Sequence, residues 1–89
     1  MISNKQLYFS NLAHTIDTPL AIEIEHAEGM YLYGPNGEKY LDLLGGISVS
    51  SLGHQNPKVK EAAKAQIDKH MHLMVYGEYI QGPQVKLAK

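Results

Sequence analysis

The chain has 89 residues, eight lysines, no arginine, nine acidic residues and a formal net charge of −1. With 44% hydrophobic and 19% charged residues it is neither a disordered tail nor a phosphate-tracking surface, since four of the lysines share one predicted helix and no aromatics interleave them. Without cysteine it has no disulfide framework or thiolate metal site, and apolar runs of only a few residues with no basic-then-apolar leader point to a soluble, cytoplasmic chain.

Taken in order, Ser3 and Gln6 have the spacing of a capping box. They predict a short helix with an apolar stripe of Tyr8, Phe9, Leu12 and Ala13 that runs towards His14. Pro19 marks the start of a strand over Leu20–His26, where Ile22 and Ile24 fall on one face and Glu23 and Glu25 on the other. Met30–Tyr33 and Lys39–Leu44 follow as two further strands around Asn36-Gly37, a strong hairpin signal, so an antiparallel three-stranded meander is expected. A second helix starts at Asn56-Pro57, with Val59, Ala62, Ala63, Gln66, Ile67 and His70 at helical spacing, and ends near His70. Residues 70–76 are apolar without clear period, as in an irregular buried connection or a piece of strand. Gly82-Pro83 then opens another helix that reaches Lys89 after about two turns. Helices shorter than about 12 residues are marginal alone, so the chain reads as a truncated piece, of α+β class.

Gly45–Pro57, GGISVSSLGHQNP, has the glycine and serine of a linker but also aliphatic residues that a solvated linker does not need. Two glycines after a strand could cradle a phosphate, yet the stretch has neither a Gly-Lys-Ser/Thr sequence nor G-x-G-x-x-G spacing. His26, His54, His70 and His72 are candidate metal ligands by type. No helical His-x-x-x-His spacing joins them, and packing or surface roles are preferred. Asp42 and Glu61 lack the spacing of a carboxylate pair and read as solvated or hydrogen-bonded structural residues. The residues taken alone make no complete catalytic constellation.

Their tandem order adds information. Gly29-Met30-Tyr31-Leu32-Tyr33, then Asn36-Gly37-Glu38-Lys39-Tyr40-Leu41-Asp42, then Gly45-Gly46-Ile47-Ser48-Val49, then Gly53-His54 with Pro57 and a helix, closely resembles the N-terminal segment of class III aminotransferases. These are pyridoxal-phosphate enzymes of fold type I that include acetylornithine, ornithine and 4-aminobutyrate aminotransferases. The resemblance covers residues 18–89 and departs from the common pattern at Gly34-Pro35 and at Asn56. It implies that residues 1–89 are part of the small domain of a larger α/β aminotransferase, a homodimer moving an amino group from an amino acid or ω-amine to a 2-oxo acid. It also implies that the cofactor-binding lysine, the aspartate at the pyridine nitrogen and the phosphate loop lie beyond Lys89, so the piece alone is inactive. The turn after the Y-x-D strand would border the substrate, with Ile47, Ser48 and Val49 as substrate-binding residues and Ile47 as the wall of the amine-donor pocket. The alternative for Ile47 and Val49 is that they plug the small domain's core. The rival reading of the whole chain is a non-catalytic α+β interaction module that presents Met71, Met74, Tyr76 and Tyr79.

Overall fold

In the computed structural model, which describes residues 1–89, Ser3 caps the first helix as its spacing predicts. Its hydroxyl accepts from the Gln6 amide at 3.2 Å, and Gln6 Oε1 accepts from the Ser3 amide at 2.8 Å. This satisfies donors that a helix start otherwise leaves without partners. Helix α1 spans Asn4–Asn11 and stops as Leu12 turns extended, three residues short of His14. The His14 ring folds back on Tyr8, with centroids 4.6 Å apart.

The three strands are β1 (His26–Glu28), β2 (Tyr31–Tyr33) and β3 (Lys39–Leu41), antiparallel in the order β1-β2-β3. The meander is therefore present, but its first strand is displaced. Leu20–Glu25 is not a strand, and the predicted range overlaps β1 only at His26. The reason is a shortage of partners. β2 is three residues long, and its pairing with the preceding segment ends one bond beyond His26, where the Glu25 amide donates to the Tyr33 carbonyl at 2.8 Å. Further back, Ala21 has φ +48°, outside the extended region. Alternation of Ile22 and Ile24 thus describes two faces with no neighbouring strand to pair with.

Gly29-Met30 links β1 to β2, with Gly29 at φ +59°. Between β2 and β3, Gly37 supplies the positive φ at +85°. The Glu38 carboxylate accepts from the Asn36 amide at 2.8 Å, and the Gly34 amide donates to the Glu38 carbonyl at 2.9 Å. Across β1 and β2, His26 and Tyr33 stand opposite each other with stacked rings 4.6 Å apart, a cross-strand pair of the kind that stabilises short sheets. These elements belong to a first unit, Met1–Asn56.

The second unit, Pro57–Lys89, contains helices α3 (Pro57–Lys69) and α4 (Gly82–Ala88). The short turn α2 (Gly45–Ser48) precedes them in the first unit. α3 opens on proline, whose missing N–H costs nothing at a helix start. At its other end Gln66 Nε2 donates to the His70 carbonyl at 3.1 Å, occupying an acceptor the helix leaves open. Residues 70–81 form neither helix nor strand, and they are not the buried connection the apolar run suggested: Met71 is 78% exposed and Val75 75%. No hydrophobic side chain of the chain is buried, so the stripe of α3 lies open at Val59 and Ile67. No helix is long and apolar enough to cross a membrane.

Candidate functional site

Asp42, the residue after β3, organises the loop that follows. Its amide donates to the Met30 carbonyl at 2.8 Å, which keeps the backbone on the sheet. Its Oδ1 accepts from the Leu44 amide at 3.1 Å and the Gly45 amide at 3.0 Å. Its Oδ2 lies 2.6 Å from His54 Nε2. An ionised carboxylate only accepts, so Nε2 carries the hydrogen whether the imidazole is neutral or charged. The side chains are 9% exposed for Asp42 and 21% for His54. The Gly45 amide first, and His54 after it, hold the Asp42 carboxyl below its ordinary range, outweighing the opposing effect of burial.

The far end of the loop returns to the same place. Gly29 and His54 exchange both backbone bonds, the His54 amide donating at 2.8 Å and the Gly29 amide at 3.0 Å. Gly53 has φ +80°, and a Cβ there would meet the Gly29 carbonyl oxygen at 3.1 Å, so glycine answers both a conformational and a steric demand. Gln55 Nε2 adds a bond to the Ala27 carbonyl at 2.6 Å. Residues 42–54 therefore form a loop with adjoining ends, an Ω-like arrangement.

Within it, α2 is a single turn with four consecutive positive φ values: Gly45 at +54°, Gly46 at +62°, Ile47 at +60° and Ser48 at +65°. The Gly45 carbonyl accepts from the amides of Val49 and Ser50, at 3.0 and 2.9 Å. Glycines adopt this region without penalty, whereas Ile47 and Ser48 each cost about 1–2 kcal/mol in it. The turn brings the three candidate substrate residues together on a solvent-facing surface. Ile47 is 84% exposed, Val49 78% and Ser48 is also exposed. Neither aliphatic plugs a core within this chain.

A phosphate cradle does not form here. The Gly45 amide is taken by the Asp42 carboxylate and the Ile47 amide by the Leu44 carbonyl, and a carboxylate at the base of a loop repels an anion. The candidate histidines do not gather into a group able to hold a metal ion: His26 stacks on Tyr33, His54 pairs with Asp42, and His70, two residues from His72, meets Gln66 at 3.2 Å. All eight lysines are exposed. Lys39 rests over the Tyr31 ring at 4.0 Å and Lys64 reaches Glu61 at 3.5 Å. A cavity of about 550 Å³ lies between α1 and Ile16–Glu23, with Asn4 Nδ2 donating to Glu23 Oε1 at 2.8 Å beside it. It is separate from the Asp42 loop and lacks a cluster of catalytic groups.

The partnership of Asp42 with His54 is the feature that motif reading leaves out. Its signal is a strand-ending aspartate and a Gly-His twelve residues apart, with glycines at both ends of the interval.

Comparison with known proteins gives a consistent picture. The family model described as aminotransferase class-III matches residues 12–89. The acetylornithine aminotransferase of Archaeoglobus fulgidus is 43% identical over 68 residues, which are 76% of this chain and 18% of that protein. The crystal structure of an S-selective transaminase from Arthrobacter sp. superposes with a TM-score of 0.78 at 29% identity, covering 92% of this chain and 18% of that one. The ornithine aminotransferase of Toxoplasma gondii, whose structure is described as having partial occupancy of PLP at the active site, gives a TM-score of 0.74 at 26% identity, over 91% of this chain and 19% of that one. The chain thus spans less than a fifth of the length of these proteins.

Proposed function

The chain belongs to the class-III aminotransferases, and from that premise we propose that it is the N-terminal, small-domain part of an enzyme that moves an amino group from an amino acid or ω-amine to a 2-oxo acid. The enzyme is a cytoplasmic homodimer that uses pyridoxal phosphate, which supplies the electron sink, and the groups that seat the cofactor lie outside residues 1–89. On this reading residues 1–89 alone transfer no amino group. Their contribution is a wall of the amino-donor pocket built by Ile47, with Ser48 and Val49 beside it.

The observation that carries the reading is the backbone of Ile47. A β-branched residue at φ +60° is an outlier, and an exposed one gains nothing from packing in this chain to offset the strain. Strain of this sort persists where a site needs the side chain placed. An aliphatic wall excludes water and limits the donor's size, and a change of a methylene or two in such a pocket is worth about 10–200-fold in discrimination. Ile47→Tyr in the full-length enzyme should therefore shift the preference between small and large amino donors by about tenfold in kcat/KM. Unchanged donor preference would return Ile47 to a packing role.

The rival, a stand-alone interaction module, draws on the exposure of Met71, Tyr76 and Tyr79. The same exposure extends to every other large apolar side chain at the ends of the chain, from Ile2 at 67% to Leu87 at 89%, which a chain folding by itself does not sustain. Sequencing the gene decides between them: a reading frame that continues past Lys89 into a cofactor domain supports the enzyme, and a stop codon there supports the module.

A further inference from the structure

We propose that Asp42 and His54 are positioning residues for the amino-donor pocket: together they clamp the base of the 42–54 loop and so hold the strained turn that presents Ile47. The inference rests on the reading of that turn as a pocket wall. The hydrogen bonds of both side chains go to the loop backbone and to each other, so they act on Ile47 through that backbone.

One carboxylate serves two purposes. Oδ1 fixes where the turn begins, through the Leu44 and Gly45 amides, and Oδ2 closes the loop against His54. Beneath the pair, the Asp42 amide on Met30 and the double bond pattern of His54 with Gly29 seat both ends on one β-turn. Within residues 1–89 no hydrophobic packing restrains the loop. Leu43 is 85% exposed, Leu44 69% and Leu52 69%, in line with Ile47 and Val49. Two consecutive non-glycine residues in the left-handed region persist only where their surroundings over-determine them, and the part-buried carboxylate with three donors is the group in the loop able to do so.

The test uses the full-length enzyme with Asp42→Ala, His54→Ala, Asp42→Asn and, as a surface control, Lys64→Ala. Asparagine keeps an Oδ1 acceptor for the two amides and can pair with a neutral imidazole, so it is the conservative rescue. Asp42→Ala and His54→Ala should each raise the KM for the amino donor about tenfold while kcat changes less than about threefold, since a wall moved by a fraction of an ångström weakens donor placement without touching the reacting atoms. Asp42→Asn should lie nearer the unaltered enzyme, and Lys64→Ala should match it. In the cofactor-free protein, hydrogen–deuterium exchange over residues 43–53 should speed up in both alanine variants and not over α3. A fall in kcat with the donor KM unmoved, or faster exchange with KM unmoved, would mean the pair only stabilises the fold and would overturn the proposal. If the unaltered enzyme transfers no amino group from any donor, the transaminase reading itself fails, before any substitution is made.

Discussion

Ile47 is strained where its glycine neighbours are not, and the difference makes the role of the side chain separable from that of the backbone. Glycine at position 47 removes an exposed side chain, 84% of it open to solvent, and releases the left-handed penalty of about 1–2 kcal/mol. Ile47→Gly should thus leave stability unchanged or raise it by about 1 kcal/mol, offset in part by the freer unfolded chain. Donor selectivity should fall at the same time. Denaturant midpoints and donor kinetics on one preparation check both, and a marked loss of stability would mean that Ile47 packs against another part of the protein. Asp42 offers a pH signature. Its carboxyl is held below the ordinary 3.8, so as pH falls the unfolded chain takes up the proton first. The stabilisation is complete well above pH 3.8 and is lost as pH drops through the lower folded value. Asp42→Asn should therefore be less stable than the unaltered protein at pH 7, with a deficit that shrinks as the pH is taken below 3.8. Urea midpoints measured from pH 7 to pH 3 follow it; a deficit that grows on acidification would contradict the direction assigned to Asp42.

Elements whose signals are local were readable from the sequence. The Ser3 and Gln6 box, the Asn36-Gly37 hairpin and the proline starts of α3 and α4 each depend on residues within a few positions of one another. The Leu20–His26 strand failed because alternation reports two faces but not whether a partner strand lies alongside, and β2 is too short to supply one. The left-handed turn was hidden for a different reason: isoleucine's own preference opposes φ +60°, so nothing local in the sequence announces it. Ile47, Ser48 and Val49 were named as pocket residues through the family resemblance alone, and the structure shows that they share one exposed turn. Asp42 read as a hydrogen-bonded structural residue, and its pairing with His54 needed the fold. Ser3→Ala tests the most local of these signals. Losing the box should cost α1 about 1 kcal/mol, visible as lower amide protection at residues 4–8, while the meander and the Asp42 loop keep theirs. Loss of protection throughout the first unit would make the cap a keystone of the fold instead of a feature of one helix.

At the scale of the molecule the decisive quantity is burial. Folding must offset roughly 1–2 kcal/mol of backbone entropy for each ordered residue, chiefly by removing apolar surface from water. Here no hydrophobic side chain is buried, and Leu20, Leu43, Ile80 and Leu87 are between 79% and 95% exposed. Hydrogen bonds and a three-stranded sheet of three-residue strands contribute too little to replace a core. On the reading of residues 1–89 as part of a longer enzyme, the remaining source of stability is contact with further protein, and the matched residues make up only 18% of each relative. Residues 1–89 expressed alone should consequently show no cooperative heat-absorption peak in calorimetry and little amide protection outside the hairpin, while the full-length enzyme shows a sharp transition and protects the same residues. A two-state transition in the isolated 89-residue chain, at a concentration where it is monomeric, would require a core that this structure does not have, and would favour the self-standing module over the aminotransferase part.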